Sequence, residues 1–303
     1  MTSPLLLLNP HAGAGRAAAL QPELRRWLAQ NASSAELTLP DSAAQARERI
    51  SQLPPSSRVV VIGGDGTLNQ LLTALLQGQH ELGLVPCGSG NDTARALGLH
   101  GTPWDRALAH ALHGRPQAMD LGLARFQAEG AERAVAFLSS FTVGFDSSVG
   151  LRALRGPRWL RGLPRYLLAT LRELIALRTW ELQVELDGQL VHDGTALFAS
   201  TLNTPTFGSG MPAAPHASID DGQLNLLLAG RFGRAAALLM LPRLLAGRHL
   251  GHPRVKTQAY SRLSLRSTSP VPLAADGEYL GATHQLELQV LPLALQVVRG
   301  PAA

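Results

Sequence analysis

The chain has 303 residues, of which 45% are hydrophobic, and a formal net charge of +5 from 27 Lys and Arg against 22 Asp and Glu. This length is enough to bury two ordinary cores, so two domains are expected. The single cysteine, Cys87, excludes a disulfide framework and a cysteine-cluster metal site, and it is typical of a reducing cytoplasm. The ten histidines form no convincing set of metal ligands.

The first apolar run, Leu5–Leu8, predicts a strand, because it is too short for a signal peptide or a membrane span. Up to about residue 120, further short apolar runs alternate with amphipathic helical patterns. Strands are predicted at residues 36–39, 59–62 and 82–85, and helices at residues 17–30, 43–53 and 68–77. This alternation predicts an N-terminal α/β domain, residues 1–120, built on a doubly wound parallel sheet.

The last helix of this domain is predicted in residues 101–114, which read GTPWDRALAHALHG. Thr102 is expected to be the N-cap residue, because its hydroxyl can accept a hydrogen bond from a free N–H group of the first turn. Pro103 then suits the first helical position, and Gly114 suits the position after the last one.

After Met119 the sequence changes to the alternation of apolar and polar residues that is typical of half-buried strands. Asp187-Gly188 predicts a hairpin turn within this region. Further strands are predicted at residues 224–228, 262–266 and 286–298. We therefore expect an antiparallel, sandwich-like β-rich domain over residues 121–303, whose last strand is able to return to the first domain.

A basic and apolar segment, residues 151–179, interrupts the β-rich half of the chain. It contains seven arginines and one acid, Glu173, with leucines, Trp159 and Tyr166 between them. This composition is typical of an interfacial element on an anionic membrane, although a solvated arginine face over a core-facing leucine stripe explains it equally well. No recognition motif or aromatic stacking array accompanies the charge, so a nucleic-acid partner is not expected.

Three glycine-rich turns follow predicted strands of the first domain. We call them turn 1 (NPHAGAG, residues 9–15), turn 2 (GGDGT, residues 63–67) and turn 3 (PCGSGND, residues 86–92). Because the carboxyl ends of the strands form the ligand crevice of a doubly wound sheet, these turns are expected to converge on one site. Each turn supplies backbone N–H groups beside a helix N-terminus, and this arrangement binds phosphate oxygens.

Asp65 lies within turn 2, where its negative charge would repel a phosphate. A divalent cation between the two anions would remove this conflict. Asp65 could also cap the helix predicted near Leu68, and the two roles are compatible.

A competing motif begins at Gly13, where GAGRAA fits the dinucleotide-binding pattern G-x-G-x-x-A. Glu36 stands near the position at which such a fold keeps its ribose-binding acid. This interpretation leaves turns 2 and 3 without a role. The sequence contains no complete Walker A motif either, so a P-loop NTPase is not expected.

Five motifs in this order resemble the diacylglycerol kinase catalytic-domain family, which includes YegS-like lipid kinases and the sphingosine and ceramide kinases. They are NPHAGAG, GGDGTLNQ, PCGSGND, SIDDGQL (residues 218–224) and DGE (residues 276–278). GGDGT alone is shared with NAD kinases and, more loosely, with phosphofructokinases, whereas PCGSGND favours the lipid branch. The resemblance covers nearly the whole chain. It implies a cytoplasmic enzyme, associated peripherally with the membrane, that transfers the γ-phosphate of ATP to a lipid hydroxyl with the help of Mg²⁺.

The resemblance also implies the roles of the acidic residues. Glu278 would be the general base that takes the proton from the lipid hydroxyl. Asp276 would hold the network that joins Glu278 to the metal and to Asp65. A structural Mg²⁺ would lie at the SIDDGQL turn, with Ser218, Asp221 and Gln223 as its ligands.

The nucleotide contacts follow from the same resemblance and fall mainly in turns 1 and 2. The residues are Asn9, Pro10, His11, Ala12, Gly13, Thr38, Gly64, Asp65, Gly66, Thr67, Leu68, Asn69, Gln70 and Ser89. Gln70 stands where an acidic residue is common in the family, and HAGAG replaces the usual serine-glycine-lysine form of the first loop. Arg16 is therefore expected to supply the cation that this lysine provides.

Two alternatives to a lipid kinase remain open. The first is an enzyme related to NAD kinase, which the basic apolar segment disfavours because a soluble dinucleotide needs no interfacial element. The second is a catalytically silent lipid-binding module of the same fold, which the presence of four motif acids together disfavours. The sequence does not identify the lipid, and an exposed strand edge of the β-rich domain would allow a homodimer without requiring one.

Overall fold

The computed structural model describes residues 3–31, 34–128, 130–157, 159–160 and 162–300. The chain divides into two compact units. Unit 1 consists of Met1–Met119 and Leu293–Ala303, and unit 2 consists of Asp120–Pro292.

Unit 1 is built on a parallel sheet. Its strands are β1 (Leu5–Leu8), β2 (Glu36–Thr38), β3 (Arg58–Gly63) and β4 (Glu81–Pro86). They are ordered β2-β1-β3-β4, and every neighbouring pair is parallel. Near the C-terminus, Gln296 and Val297 add a further parallel segment beside β4. The apolar runs of β1 and β3 are fully buried, as continuous hydrophobic runs are in a parallel sheet that is covered on both faces.

The helices of unit 1 follow the predicted alternation with the strands. They are α1 (Arg16–Ala19), α2 (Gln21–Asn31), α3 (Ala43–Ser51), α4 (Asp65–Gln77), α5 (Asp92–Ala96) and α6 (Trp104–His113), and a 3-10 turn occupies Ala12–Gly15. The single helix predicted at residues 17–30 is instead two helices. Pro22 explains the break, because it has no N–H group to continue the helical bonding and is tolerated only in the first turn of α2.

The predicted N-cap of α6 was wrong by one residue. Pro103 is the N-cap, with an extended ψ of 143°, and the helix begins at Trp104. Thr102 belongs to the preceding turn, because its N–H group donates to the carbonyl oxygen of Leu99. Gly114 follows the last helical residue, as predicted.

Unit 2 is an antiparallel, β-rich domain. Its strands are β5 (Pro116–Ala128), β6 (Ala131–Phe137), β7 (Ser140–Val143), β8 (Trp180–Leu186), β9 (Gln189–Leu202), β10 (Leu224–Gly230), β11 (Val255–Tyr260), β12 (Arg262–Ala275) and β13 (Glu278–Val298). The first residues of β5 and the last residues of β13 belong to unit 1. The pairs β5–β6, β7–β9, β8–β9, β9–β10, β10–β11, β12–β7, β12–β8 and β12–β13 are all antiparallel. The fold class predicted from the sequence is therefore confirmed.

The β8–β9 hairpin confirms the predicted turn. Asp187 and Gly188 both have positive φ, 49° and 80°, as a tight hairpin turn requires. By contrast, β12 extends well beyond its predicted end and includes Pro270 and Pro272. Pro270 is tolerated because the β12–β13 register shifts between Arg266 and Val271, which interrupts regular pairing there. Pro272 lies beyond this interruption, in register with Ala282 of β13.

The helices described in unit 2 are α7 (Phe145–Leu154), α8 (Leu163–Ile175) and α9 (Arg234–Leu245), and a 3-10 turn occupies His249–Gly251. The basic segment of residues 151–179 contributes the end of α7 and all of α8, while two of its arginines, Arg158 and Arg161, lie outside the described residues. Among the described residues, no helix is both long enough and apolar enough to cross a membrane.

Candidate active site

The three glycine-rich turns of unit 1 lie against one another. A Cβ atom on Gly64 of turn 2 would stand 2.6 Å from the Cα of Gly88 in turn 3. A Cβ atom on Gly13 of turn 1 would overlap the carbonyl oxygen of Cys87, and Gly13 also has a positive φ of 59°. The glycines are therefore needed because backbone approaches backbone, and the expected convergence of the three turns is observed.

Asp65 joins turn 2 to turn 3. Its Oδ2 accepts a hydrogen bond from the N–H group of Asp92 at 3.0 Å, and its Oδ1 accepts one from Thr93 at 3.0 Å. The carboxylate therefore caps α5, and not the helix near Leu68 that the sequence had left as an alternative. That helix, α4, begins at Asp65 itself. The N–H groups of α5 already stabilise the negative charge that suggested a neighbouring cation.

Asn9 joins turn 1 to turn 2. Its Nδ2 donates to Oγ1 of Thr67 at 2.8 Å, and its Oδ1 accepts a hydrogen bond from the N–H group of His11 at 3.0 Å. The turn then passes through three consecutive residues with positive φ, of which Ala14, at 58°, is not a glycine. A non-glycine residue persists in this conformation only when its surroundings hold it there. Turn 1 is therefore held in one conformation, by the hydrogen bonds of Asn9 at its start and by the surroundings of Ala14 near its end.

Arg16 lies where turns 1 and 3 meet. Its guanidinium donates to the carbonyl oxygens of Gly13 at 3.2 Å and Gly88 at 3.0 Å. The side chain is exposed, so its positive charge stays at the rim of the three turns. Burial raises the pKa of the neighbouring Cys87 thiol, and the charge of Arg16 partly opposes this effect.

The remaining predicted nucleotide residues differ in how they could act. Leu68 is fully buried, so its side chain belongs to the core and only its backbone remains for a ligand. Ser89 and Gln70 are exposed, and the carbonyl oxygen of Gln70 accepts a hydrogen bond from Arg47. Thr38 ends β2 beside β1, from which turn 1 continues.

Glu36 does not have the surroundings of a ribose-binding acid. Its carboxylate forms an ion pair with Arg49 at 2.6 Å. The hydrogen bond from Arg49 lowers the pKa of Glu36, partly opposed by burial. The acid required by the competing dinucleotide motif is thus occupied in a surface ion pair.

In unit 2, Asp276 anchors the turn that connects β12 to β13. Its Oδ1 accepts hydrogen bonds from the N–H group of Ser139 at 2.7 Å, the hydroxyl of Ser139 at 2.8 Å and the N–H group of Ser140 at 3.1 Å. Its Oδ2 accepts a fourth hydrogen bond, from the N–H group of Leu138 at 2.9 Å. Asp276 is buried and has a positive φ of 46°. Four donors therefore hold this turn in one geometry.

Glu278 is the first residue of β13, two positions after Asp276. It is half-buried, and its carboxylate makes no hydrogen bond or ion pair with any described part of the chain. A carboxylate that is held on a fixed turn and is still available to accept a proton has the properties of a general base.

The SIDDGQL turn is held by an acid that sequence reasoning missed. Asp120 is fully buried, and its Oδ2 accepts a hydrogen bond from the N–H group of Gly222 at 2.7 Å. Its own N–H group donates to the carbonyl oxygen of Ile219 at 2.6 Å. The only signal in the sequence was one acid within the apolar run AMDLGL, which indicates a buried charge with a partner.

The predicted metal ligands lie on this turn. The hydroxyl of Ser218 donates to Oδ1 of Asp220 at 2.7 Å, and Oδ1 of Asp221 accepts a hydrogen bond from the N–H group of Gln223 at 3.0 Å. Within the described residues, no group of three or more His, Cys, Asp or Glu side chains could hold a metal ion. The donors that remain are hydroxyl, carboxylate, amide and backbone oxygens, and a set of oxygen donors fits Mg²⁺ or Ca²⁺.

Asn203 connects the two turns of unit 2. It is fully buried, and its Nδ2 donates to the carbonyl oxygens of Asp120 and Leu138, both at 2.8 Å. Asp120 holds the SIDDGQL turn, and the segment that begins at Leu138 holds Asp276. One amide group therefore sets the spacing between the two segments, a role that no motif in the sequence indicated.

Unit 2 also contains an apolar cavity of about 80 Å³. The cavity is lined by side chains of α7, α8, α9 and the neighbouring strands, including Phe145, Tyr166 and Leu241. Asp146 also lines it and accepts a hydrogen bond from the hydroxyl of Ser200 at 3.0 Å. Burial raises the pKa of Asp146 to about 7, although the hydrogen bond from Ser200 opposes the shift.

Comparison with known proteins agrees with this geometry. A family model for the diacylglycerol kinase catalytic domain matches residues 3–124, and one for the YegS C-terminal NAD kinase β-sandwich-like domain matches residues 139–299. A diacylglycerol kinase of Mycobacterium tuberculosis is 33% identical over 244 residues, which are 80% of this chain and 76% of the relative. The chain belongs to the family of diacylglycerol and YegS-like lipid kinases. It is therefore a kinase, and the resemblance identified from the five motifs is confirmed.

More distant members agree with this assignment. A protein of Shewanella frigidimarina named as a probable YegS-like lipid kinase is 26% identical over 251 residues, which are 80% of this chain and 77% of the relative. A solved diacylglycerol kinase from Bacillus anthracis has a TM-score of 0.73 and 18% identity, with 99% of this chain and 97% of that chain covered. Yeast NADH kinase has a TM-score of 0.54 and 11% identity, with 97% and 82% covered. These two structures show a shared fold.

Proposed function

We propose that this kinase transfers the γ-phosphate of ATP, in the presence of Mg²⁺, to a hydroxyl group of a diacylglycerol-like or related lipid. The available carboxylate of Glu278, on a turn that Asp276 fixes, carries this proposal. It supplies a proton acceptor in the same unit as an apolar cavity.

The nucleotide is assigned to unit 1. The N–H groups of turns 1, 2 and 3 would bind its phosphates, as glycine-rich turns before helices commonly do. Asp65 positions turn 3 through its two hydrogen bonds to α5, and Arg16 keeps a positive charge at the rim. Mg²⁺ would neutralise charge on the transferring phosphate, as it does in phosphoryl transfer generally. The oxygen donors of Ser218, Asp221 and Gln223 would hold a second, structural Mg²⁺.

The chemical step needs one proton acceptor in the protein. A carboxylate oxygen of Glu278 takes the proton of the lipid hydroxyl while the hydroxyl oxygen attacks the γ-phosphorus. The bond between the γ-phosphorus and the bridging oxygen breaks, so the products are ADP, a lipid phosphate and a protonated Glu278. The proton then leaves to solvent and restores the base.

The apolar cavity of unit 2 favours a lipid over a dinucleotide. Its lining is almost entirely hydrocarbon, which suits part of an acyl chain and offers few partners for the polar edges of a ribose or an adenine. The basic segment of residues 151–179 would hold the enzyme on a membrane surface, so the protein would associate with the membrane peripherally.

The test is transfer of labelled γ-phosphate from Mg-ATP to a panel of lipids in mixed micelles. We expect one lipid to become labelled, and we expect Glu278→Gln to abolish labelling while ATP binding, measured by calorimetry, is retained. Glu287→Gln is the matched control, because it makes the same change at an exposed position of the same strand.

Each outcome of this assay selects one function. Labelling of NAD in place of every lipid would assign the chain to the dinucleotide kinases. No labelling of either class by a protein that binds lipid would favour the silent module. Turnover by Glu278→Gln at the rate of Glu287→Gln would show that another group is the base.

A further inference from the structure

Helix α9 has an apolar outer face that no described part of the chain covers. Ala237 is the one buried residue among its twelve. Met240 and Leu241 line the apolar cavity on the inner side. On the outer side, Leu239 is 71% exposed and Leu238 is 46% exposed. A helix that is apolar all round is normally buried all round, and an exposed apolar patch marks a binding surface.

The stretch of chain that contains α9 carries cations and no acids. Residues 222–275 contain no Asp or Glu and eight Arg and Lys residues. Arg234 and Arg243 lie within α9 itself, and both are exposed. An apolar helix face within a stretch of chain that carries cations and no acids matches the surface of an anionic bilayer.

A basic pocket of about 470 Å³ lies next to the start of α9. Arg231, Arg254 and Lys256 line it, together with His192, and no Asp or Glu is among its lining residues. Two of the cations are held by backbone: Arg254 donates to the carbonyl oxygen of Arg231 at 3.1 Å, and Lys256 donates to that of Val191 at 3.2 Å. A guanidinium and an ammonium retain further N–H donors after one hydrogen bond, so the pocket can bind an anion.

The pocket and the helix are parts of one surface. Arg231 lies three residues before Arg234, the first residue of α9. Phe232, between them, is buried and packs against the ring of His252 with a centroid separation of 5.1 Å. The packing of Phe232 therefore fixes the pocket relative to the outer leucines.

We propose that α9 docks the protein on an anionic membrane. The outer leucines enter the boundary between headgroups and acyl chains, and the basic pocket binds the phosphate of an anionic phospholipid headgroup. A second copy of this chain fits the surface less well, because two α9 faces would bring together arginines with no acid between them. The proposed surface contains none of residues 151–179, although helix α8 of that segment packs against α9. Docking does not depend on the phosphoryl transfer proposed above.

The first test places an environment-sensitive fluorophore on the outer face. Cys87 is the only cysteine of the chain and is buried, so Leu239→Cys provides a selective labelling site. We expect a blue shift and a gain in intensity with vesicles that contain phosphatidylglycerol and none with pure phosphatidylcholine. The same label at Arg25→Cys, on an exposed position of α2, should not respond. No response at position 239, or an equal response to both kinds of vesicle, would overturn the proposal.

The second test separates the pocket from the overall charge. Removal of two cations with Arg254→Gln and Lys256→Gln should weaken binding to anionic vesicles about 30-fold. The matched pair Arg25→Gln and Arg26→Gln removes the same charge from exposed positions of α2 and should change binding less than about twofold. Equal losses of vesicle affinity in the two double variants would overturn the assignment of the pocket as a headgroup site, because net charge alone would then explain the binding.

Two further outcomes distinguish other occupants. Inorganic phosphate should not displace the protein from anionic vesicles at matched ionic strength; displacement would assign the pocket to a soluble phosphate ester. In sedimentation velocity, wild type and Leu239→Asn should show the same oligomeric state. A change of state caused by Leu239→Asn would assign the outer face of α9 to contacts between copies of the chain.

Discussion

Replacement of Asp276 by asparagine should destabilise unit 2 strongly. The carboxylate accepts four hydrogen bonds from residues 138–140, three through Oδ1 and one through Oδ2. An asparagine in the same place can keep its oxygen at the Oδ1 position. Its NH₂ group then faces the N–H group of Leu138, so that two donors oppose each other in a buried site.

The cost can be estimated from these contacts. One hydrogen bond to a charged acceptor is lost, the N–H group of Leu138 is left without a partner, and the other three bonds lose their charge. Together these changes should lower the free energy of unfolding by about 4 kcal/mol. For a domain of this size, such a loss lowers the melting temperature by roughly 10 °C.

Asp187→Asn is the matched control for this prediction. The carboxylate of Asp187 also accepts hydrogen bonds from backbone N–H groups, those of Ser261 and Arg262, but it is exposed to solvent. Water can satisfy the groups that this substitution releases, so a much smaller loss is expected. Urea unfolding and thermal melting measure both variants. Equal stability of Asp276→Asn and Asp187→Asn would refute the role of Asp276 as an anchor.

Three more predictions follow from the structure. Gly64→Ala should weaken ATP binding in calorimetry at least about tenfold, because the new Cβ meets the Cα of Gly88 at 2.6 Å, whereas Gly150→Ala has open space and should bind normally. Asp65→Asn should lower the melting temperature even without nucleotide, because one of its two hydrogen bonds to α5 is lost; an unchanged melting temperature would contradict the capping role. The carboxyl of Asp146 keeps its proton up to about pH 7 in the folded state and only to about pH 4 in the unfolded state, so the free energy of unfolding should fall as the pH rises from 4 to 7. Asp146→Asn should remove this fall, and urea midpoints at several pH values measure the free energy of unfolding of both proteins. The same pH dependence in the variant and the wild type would contradict the prediction.

The elements of this fold were predictable where the signal is local. The buried strands β1 and β3 of unit 1 are short apolar runs that each lead into a glycine-rich turn, and the β8–β9 hairpin needs only Asp187-Gly188 to define its turn. Errors arose where one residue competes with a longer pattern. Pro22 divides a helix that the spacing of apolar residues presents as continuous, and Pro103 shifts the start of α6.

The contacts of the candidate site were less predictable, because they join distant parts of the chain. Asp65 binds residues 27 and 28 positions away, Asp120 binds a residue 102 positions away, and Asp276 binds a residue 138 positions away. Composition and periodicity contain no record of such partners. The glycine-rich turns were found because they need particular backbone geometry, whereas the residues that hold them in place, such as Asn203, have no local signature.

Because the motif acids have long-range hydrogen-bond partners, their presence is weaker evidence for an enzyme over a silent lipid-binding module than the sequence suggested. Asp65, Asp221 and Asp276 all accept hydrogen bonds from backbone N–H groups. A silent lipid-binding module would need them for its fold as much as an enzyme would, so their presence together does not separate the two. Among the four acids, only the carboxylate of Glu278 makes no hydrogen bond or ion pair with the described part of the chain, so it stabilises no contact there. We therefore propose that the carboxylate of Glu278 serves proton transfer, and loss of turnover with intact stability in Glu278→Gln is the result that would support this role.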